Sequence, residues 1–278
     1  MNPFQDKVVM VTGGASGIGR ALCEGLGQGG AVVVVADING KGAQQVAATI
    51  TKKGGRGHAV HLDVSKSAQV RHVIHDTVNE YGQLNYLFNN AGIAVIGETF
   101  DMKPAHWKRT LDVNLWGVIY GTTTAYQVMV QQGFGHIVNT ASAAGLVPIP
   151  LLTAYTTTKH AVVGLSLSLR VEAAGHGVKV SVVCPGIIRT NIPNVATYLK
   201  VKREVALSKL SSVRMMDVDK CARVILRGVA RNKAVIKVAP FAYIISWLYR
   251  IHPALMTPWY RKAHKDFQLL KSKSLEGS

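Results

Sequence analysis

From residue 7 onward, short runs of β-branched residues alternate with longer amphipathic stretches. The apolar runs have the length of single strands, and the stretches between them show the three-to-four-residue spacing of helices. Because each crossover helix returns the chain to the same end of a sheet, this alternation predicts an α/β doubly wound parallel sheet covered on both faces. The predicted helices lie near residues 17–29, 40–53, 67–80, 104–131, 153–175 and 217–231.

Two segments depart from this alternation of strands and helices: residues 191–216 and the C-terminal residues 231–274. Residues 191–216 follow the sixth predicted strand with helical periodicity and several charges, and ligands of such sheets bind at the carboxyl ends of strands. This segment is therefore predicted to be a substrate lid. We place the main domain at 1–230 and an amphipathic extension at 231–274, and we interpret 275–278 as a flexible tail or an expression remnant.

Composition favours one globular domain. The chain has 278 residues, of which 48% are hydrophobic and 17% charged, so extensive disorder is not expected. Its three cysteines, Cys23, Cys184 and Cys221, are too scattered for a disulfide framework or a zinc site, which favours a reducing, cytoplasmic setting. The first residues lead straight into a strand, so no signal peptide is indicated.

The net charge of +17 fits several partners: a nucleic acid, an anionic membrane surface or an acidic ligand. No nucleic-acid-binding motif accompanies the charge, and no nucleic acid is predicted as a partner.

A glycine-rich turn follows the first predicted strand. Gly13, Gly17 and Gly19 stand in a Gly-x3-Gly-x-Gly spacing that opens directly into a helix. Glycine permits a tight turn and close backbone approach to a pyrophosphate, whose charge then meets the free N–H groups of the helix N-terminus. The pattern predicts a phosphate-bearing ligand; the alternative is a glycine-rich turn that binds nothing.

The second strand ends at Asp37, 18 residues after Gly19. A carboxylate there accepts hydrogen bonds from the ribose hydroxyls of an adenosine and repels a 2′-phosphate. Neither Ser16 nor Ile38, the neighbouring positions from which a cation would receive that phosphate, is basic. The pattern favours NAD over NADP; the alternative is that Asp37 caps the next helix.

Tyr155 and Lys159 stand one helical turn apart in YTTTK. A free tyrosine has a pKa of about 10, and a nearby ammonium stabilises its phenolate. The pair is therefore a candidate acid/base; the alternative is an ordinary surface pair.

These motifs, in their order, resemble the short-chain dehydrogenase/reductase family over roughly residues 5 to 230. The resemblance implies a Rossmann fold and an NAD(P)-dependent oxidoreductase. The residues that carry it are TGGASGIG, LDV at 62–64, NNAG at 89–92, Asn114, Ser142, YTTTK and PGIIRT at 185–190.

The resemblance also implies catalytic roles. Tyr155 would be the general acid/base, and Lys159 would hold the nicotinamide ribose. Ser142 would hydrogen-bond the substrate oxygen, unless it is an ordinary strand-end serine. Asn114 would hold a water between the lysine and solvent, unless it only bonds the backbone of its own helix.

The cofactor contacts implied by resemblance surround a dinucleotide. No metal is expected, because the nicotinamide carries the hydride, and His136 and His160 are interpreted as structural. The predicted cofactor residues are Gly13, Ser16, Gly17, Ile18, Gly19, Asp37, Asp63, Val64, Asn90, Ala91, Gly92, Tyr155, Lys159, Pro185, Gly186, Ile188 and Thr190.

The predicted substrate side is mostly apolar. It comprises 93–96, 143–150, Leu152 and the lid, and it favours a lipophilic alcohol or ketone such as a steroid, a retinoid-like or a fatty molecule. The lid residues Lys200, Lys202 and Arg203 have two interpretations: a docking point for an acidic acyl carrier, or a solvated helix face.

The extension interleaves aromatic residues with cations: residues 231–273 hold nine Lys/Arg and one acid, Asp266. This composition suits peripheral contact with an anionic membrane, and equally a segment packed over the substrate cleft or a neighbouring subunit. By resemblance, a homodimer or homotetramer would form through the helices near 104–131 and 153–175.

Two rivals to an NAD-dependent alcohol dehydrogenase or ketone reductase remain. One is a 3-oxoacyl carrier protein reductase, against which Asp37 argues because that activity is expected to need NADPH. The other is a non-catalytic NAD-sensing or anionic-surface-binding protein. Against it, the full set of candidate catalytic residues is present.

Overall fold

The computed structural model describes residues 2–210, 213 and 215–276. The strands of these residues are β1 (Val8–Thr12), β2 (Val32–Asp37), β3 (Arg56–His61), β4 (Tyr86–Asn89), β5 (Val95–Ile96), β6 (Gly135–Thr140), β7 (Val178–Pro185), β8 (Thr197–Tyr198) and β9 (Val235–Val238). The helices are α1 (Gly17–Gln28), α2 (Gly40–Lys52), α3 (Ser67–Tyr81), α4 (Pro104–Leu111), α5 (Gly117–Gln132), α6 (Thr153–Ala174), α7 (Ile192–Val195), α8 (Arg203–Leu210), α9 (Val218–Ala230), α10 (Pro240–Ile251) and α11 (Thr257–Glu276).

Seven parallel strands form the main sheet in the order β3-β2-β1-β4-β6-β7-β9, which confirms the predicted doubly wound fold. The strand order reverses between β1 and β4, and the loops that leave these two strands diverge there. In such sheets the crevice at this point, outside the carboxyl ends of the strands, is where ligands bind.

Burial explains the strand sequences. Every residue of β1 is buried, because helices cover both faces of the central strands. Val9 and Val11 pack with residues of α1, α2 and α9, whereas Met10 faces the opposite cluster formed with α3 and α5. The edge strand β3 has one neighbour and carries polar residues, and none of its residues is fully buried.

The sheet extends past the predicted end of the main domain. β9 lies within the predicted extension, yet it pairs in parallel with β7 and supplies the last strand of the sheet. The predicted boundary at residue 230 falls just before this strand, because a four-residue strand followed by an aromatic run shows no distinct periodicity of its own.

The C-terminus also differs from expectation. α11 continues through Glu276, so the predicted tail at 275–278 begins within a helix; residues 277–278 lie outside the described residues. Among the described residues, no helix combines the length and hydropathy needed to cross a bilayer.

Candidate active site

A cavity of about 1020 Å³ opens at the carboxyl ends of the sheet strands. Every predicted site residue lines it except Gly19 and Asn114, which lie directly behind its wall. Thirteen or more residues separate most of these motifs along the chain, and the parallel sheet brings them together because the carboxyl ends of all its strands point the same way.

The glycine turn leaves no space for side chains. Gly13 and Gly17 have φ angles of 67° and 51°, which disfavour other residues, and a Cβ at Gly13 would lie 2.8 Å from Cα of Ala91. A Cβ at Gly19 would overlap the carbonyl oxygen of Gly13. Gly19 is thus a packing residue that lets α1 approach the turn.

The N-terminus of α1 is open to the cavity. Ser16 is its N-cap, but the serine side chain makes no capping hydrogen bond. The N–H groups of the first turn, beside Gly17 and Ile18, face the cavity without a side-chain acceptor. Such a turn, with its positive helix-dipole end, fits a phosphate group.

Asp37 lies at the end of β2 with its carboxylate on the cavity wall. Its oxygens accept hydrogen bonds from the backbone N–H groups of Ala15, at 2.9 Å, and Asn39, at 2.8 Å. The helix cap is Asn39, whose side chain accepts from Gly42, so Asp37 is not the N-cap of α2. The carboxylate is thereby fixed beside the glycine turn with lone pairs left for a ligand.

Thr12 joins the loops that follow β1 and β4. Its hydroxyl accepts hydrogen bonds from the N–H groups of Asn90 (3.0 Å) and Ala91 (3.1 Å), and the Asn90 amide returns a bond to the Thr12 carbonyl at 3.1 Å. The sequence interpretation missed Thr12 because a threonine at a strand end carries no distinctive pattern. Its role is to hold the NNAG loop against the glycine turn.

Asp63 and Val64 form the next part of the wall. The Asp63 carboxylate accepts from both the N–H (3.0 Å) and the hydroxyl (2.7 Å) of Ser65, and Val64 is buried against Gly117. These contacts make a compact turn after β3 that presents one polar and one apolar side chain to the cavity.

Ser142, Tyr155 and Lys159 meet at the centre of the cavity. The Ser142 hydroxyl accepts from the Ala144 N–H at 3.1 Å, which leaves its hydrogen free to bond the Tyr155 phenol oxygen. The Lys159 Nζ lies 5.4 Å from the centre of the Tyr155 ring and donates to the Thr140 carbonyl at 2.8 Å. The helical spacing therefore places the phenol and the ammonium on one buried face.

Burial sets the charge state of this pair. It raises the pKa of Tyr155 because a phenolate loses hydration, while the Ser142 hydrogen bond opposes the rise. Burial likewise lowers the pKa of Lys159 to about 8. In the protein alone the ammonium lies over the ring and bonds Thr140 instead of the phenol oxygen, so burial and the Ser142 hydrogen bond set the direction of the Tyr155 pKa.

Asn114 holds the loop after β4 from inside the protein. It lies in a π-helical turn, Asp112–Trp116, which joins α4 to α5 within the predicted long helix. Its side chain bonds both the N–H (2.8 Å) and the carbonyl (2.9 Å) of Ile93, so it does not merely bond its own helix. A Cβ at Gly92 would lie 3.4 Å from its Oδ1 and 3.7 Å from the Lys159 Nζ, which places both polar groups around Gly92.

We call the glycine turn, Asp37 and the loops after β3 and β4 the floor of the cavity. The loop after β7 completes this floor. Gly186 donates to the Val238 carbonyl at 2.9 Å, and a Cβ at Gly17 would lie 3.3 Å from that of Thr190, so this loop faces the glycine turn. Ile188 pairs with Met216, which returns the lid to the sheet. Pro185, the last residue of β7, lines the same wall.

The predicted lid is attached to the rest of the protein through β8 and contributes to the cavity wall. β8 pairs with β5, and Tyr198, Val201 and Ala206 line the cavity. Lys200 and Arg203 are exposed, and Arg203 donates to the Asn194 carbonyl at 2.9 Å. Residues 211, 212 and 214 of the predicted lid lie outside the described residues.

The C-terminal extension covers the cleft. We call α8 and α11 the roof; Trp259, Phe267 and Leu270 of α11 line the same cavity as the glycine turn. Sequence interpretation left this arrangement as one of several alternatives, because nothing local in the extension specifies what it packs against.

One ionic cluster joins the roof to the loop after β5. Lys271 Nζ lies 2.8 Å from Glu98 Oε2 and 2.8 Å from Asp101 Oδ2, and His264 and Gln268 also contact Glu98. Lys271 and His264 lower the pKa of Glu98, and the two acids raise the pKa of Lys271. We call this cluster the latch.

The protein's own atoms fit a dinucleotide. The glycine turn is a backbone cradle that side chains would fill, and the first turn of α1 has no side-chain cap. In addition, Thr140 Oγ1 is buried beside the cavity with no hydrogen-bond partner. These features fit a ligand that has phosphates at one end and hydrogen-bonding groups at the other.

Known proteins share this architecture. A sequence profile described as short chain dehydrogenase matches residues 7–197. The chain is 35% identical over 259 residues to the probable oxidoreductase EphD of Mycobacterium tuberculosis; the match covers 90% of this chain and 44% of that protein, so the chain spans less than half of its length. It is 37% identical over 190 residues, covering 68% of this chain and 76% of the relative, to a cyclohexanol dehydrogenase of Acinetobacter sp..

A solved structure has a similar fold over most of its length. A short-chain dehydrogenase/reductase from Burkholderia phymatum, in complex with NAD, has a TM-score of 0.84 and 28% identity, covering 92% of this chain and 97% of that one. Both the sequence match and the fold extend over most of the chain, with the site motifs inside the matched region, and the chain belongs to the short-chain dehydrogenase family.

Proposed function

We propose that this oxidoreductase transfers a hydride between NAD(H) and a lipophilic secondary alcohol or ketone, with Tyr155 as general acid/base. The observation that carries the proposal is the shared cavity: the phosphate-fitting turn, Asp37 and the Ser142–Tyr155–Lys159 cluster open into one apolar space. The cyclohexanol dehydrogenase relative acts, by its name, on a secondary alcohol.

The floor supports NAD as cofactor. The glycine turn and the first turn of α1 would hold the pyrophosphate, and Asp37 would accept bonds from the adenosine ribose. A 2′-phosphate would meet the Asp37 carboxylate, and Ile38 beside it is exposed and offers no cation. The bound nicotinamide would supply the hydride chemistry.

The remaining predicted contacts follow the cavity wall. Asp63 and Val64 would flank the adenine, and Asn90, Ala91 and Gly92 would flank its ribose. Pro185, Gly186, Ile188 and Thr190 would fix the nicotinamide, beside Lys159 on its ribose. Each of these positions lines the cavity.

At the substrate end of the cavity, three side chains would take part in proton transfer and charge stabilisation. Ser142 would bond the substrate oxygen and steady the charge that builds on it during hydride transfer. Tyr155 would exchange the hydroxyl proton of the substrate, and the buried Lys159 ammonium would favour the phenolate once a ligand closes the cavity to water. Asn114, bonded to Ile93, would act by positioning the Gly92 loop.

The walls support a lipophilic substrate. Ile96, Ile149 and Leu152 line one side, and the roof adds Trp259 and Phe267. A space of this size and composition fits a fused-ring or long-chain alcohol better than a sugar, because a sugar would lose hydration there without replacement hydrogen bonds.

The decisive experiment is Tyr155→Phe, measured by NADH absorbance with a panel of lipophilic alcohols and ketones. Loss of the phenol hydroxyl should lower kcat by about 10²–10⁴-fold, the usual contribution of a positioned acid/base, while NADH affinity stays near that of the parent protein. Tyr198→Phe is the matched control, because this second cavity tyrosine donates only to the Pro193 carbonyl, at 2.9 Å, and should retain activity.

Activity of Tyr155→Phe within about threefold of the parent would refute the acid/base role. If no member of the panel reacts while NADH still binds, the non-catalytic NAD-sensing alternative would be favoured. Preference for NADPH and a 3-oxoacyl thioester would favour the acyl carrier reductase.

We also propose a homodimer or homotetramer formed through α5 and α6. Val171 of α6 is 78% exposed, and Leu167, one turn earlier, is 37% exposed. Apolar side chains at this spacing on a long surface helix are typical of a helix-packing interface. Light scattering at micromolar concentration measures the assembly.

A further inference from the structure

α10 is apolar on two opposite faces. Its inner face, with Ala242 and Ile245, packs against Ala143 and Val147 behind Ser142. On the outer face, apolar side chains recur at the spacing of one helix side, and they are half exposed or more. They are Tyr243 (52%), Ile244 (57%), Trp247 (63%) and Ile251 (55%). The inner face is sufficient to pack the helix against the rest of the protein, so the apolar residues of the outer face are not needed for that packing.

The outer face continues beyond the helix and has a cationic border. Leu255, in the 3₁₀ turn that joins α10 to α11, is 52% exposed. Residues 240–265 contain no Asp or Glu, and their four cations, Arg250, Arg261, Lys262 and Lys265, are all exposed. We call the outer side chains of α10 with Leu255 the apolar face.

This combination indicates what covers the face. Trp and Tyr are suited to a boundary between an apolar and an aqueous phase, and cations around an apolar helix face attract anionic lipid head groups. A second copy of this chain docked through this face would bring the same four border cations against its own. Charge complementarity therefore favours a lipid surface over self-association.

The position of the face fits this partner. α10 contacts the loop after Ser142 through its inner side, and α11, which follows it, places Trp259 on the cavity wall while leaving that ring 37% exposed. A molecule dissolved in the head-group region would thus lie next to the roof of the cavity.

We propose that the apolar face docks this protein on an anionic membrane surface, where it takes its lipophilic substrate from the lipid. The substrate route rests on the proposed function, whereas the docking itself does not. At 12 residues α10 is too short to span a bilayer, so the association is peripheral.

The test is flotation of the full-length protein with two kinds of vesicle, one of pure phosphatidylcholine and one of phosphatidylcholine mixed with the anionic lipid phosphatidylglycerol. The protein should float with the mixed vesicles at low salt, bind pure phosphatidylcholine at least about tenfold more weakly, and dissociate as salt rises.

The double variant Ile244→Ser with Trp247→Ser should bind the mixed vesicles at least about tenfold more weakly, since two apolar anchors are lost. Its control is Phe134→Ser, which removes another exposed aromatic ring (42% exposed) before β6, at the opposite end of the sheet. Phe134→Ser should bind vesicles like the parent. Thermal unfolding and NADH binding show that both variants are folded.

Several outcomes would overturn the proposal. The first is absence of vesicle binding at low salt, and the second is equal binding by the double variant and the parent. A third is a concentration-dependent assembly that the double variant loses while no form floats, which would make the apolar face an interface between copies. Vesicle binding without any alcohol turnover would leave docking intact and refute the proposed function alone.

Discussion

The glycine turn after β1 and the roof helix α11 line the same cavity, but they are held in place differently. The turn is fixed by backbone packing and by hydrogen bonds among residues at neighbouring strand ends, such as Thr12 with Asn90. The roof helix α11 is held by apolar contacts of Tyr260 and by the latch at its surface, where Lys271 meets Glu98.

This difference separates cofactor recognition from substrate recognition. A dinucleotide presents the same groups to any enzyme that uses it, and a rigid backbone cradle meets them at fixed distances. A substrate differs between enzymes, and a helix held by a few side chains changes its lining without disturbing the sheet. We therefore expect floor variants to alter the cofactor ratio and roof variants to alter substrate preference.

The largest expected effect in this comparison comes from Asp37→Ala on the floor. Removal of the carboxylate should reduce the preference for NAD over NADP, measured as the ratio of the two kcat/KM values, by about tenfold to a hundredfold, because a 2′-phosphate no longer meets a like charge. Asp37→Asn keeps an acceptor for the Ala15 and Asn39 N–H groups, and so separates charge from turn geometry.

Asp63→Ala is the control for this experiment. It removes a second carboxylate from the same cavity, beside the predicted adenine position that both cofactors share, and should affect them alike. A ratio that stays constant in Asp37→Ala and Asp37→Asn would count against the ribose contact.

The same contrast explains how far the sequence predicts this protein. The glycine turn, Asp37 and YTTTK are local patterns whose chemistry depends on neighbouring residues, and the sheet brings them to one edge. The latch joins Glu98 to a lysine 173 positions later, and no pattern near either residue announces the contact. β9 and the π-helical turn at Asn114 were hidden because both lie inside longer apolar or helical periodicities.

Burial is the physical quantity that the sequence conveyed least well. The spacing of Tyr155 and Lys159 predicted their proximity, and proximity alone would lower the pKa of the phenol. In the folded chain the ammonium bonds the Thr140 carbonyl, and desolvation outweighs the Ser142 hydrogen bond and raises the pKa of the phenol. The extent of this desolvation depends on the walls of the cavity, which include residues from the far end of the chain such as Trp259.

The buried ammonium of Lys159 is also desolvated, and this desolvation should lower the stability of the folded protein. Lys159→Met should raise the free energy of unfolding of the cofactor-free protein at pH 7 by about 2 kcal/mol, because a buried ammonium is replaced by an apolar chain, less the lost bond to Thr140. The same variant should lose activity. Urea unfolding measures the difference.

The pH dependence has a definite sign. The folded pKa of about 8 lies below the ordinary value of 10.5, so the unfolded chain binds more protons between these pH values, and the stability of the parent protein rises with pH there. The advantage of Lys159→Met should thus be largest below pH 8 and shrink toward pH 10.5. Lys41→Met, at an exposed position on α2, should show no such trend.

The smallest effect is expected at the latch. Lys271→Met leaves the Glu98 and Asp101 carboxylates facing each other without their shared cation, so α11 should open more often. KM for a bulky alcohol should rise severalfold with little change for cyclohexanol, and amide exchange in α11 should quicken by a similar factor, since partly exposed ion pairs contribute little.

Lys53→Met is the matched control, since its ion pair with Glu24, at 3.0 Å, lies at the surface beside α1 and far from the roof. It should leave both KM values and α11 exchange unchanged. Equal rises in KM for bulky and small alcohols would mean that the latch supports the whole site, and the division between a fixed floor and an adjustable roof would then be wrong. A rise confined to the bulky alcohol would place substrate selection in α11, because only a large substrate reaches Trp259 and Phe267.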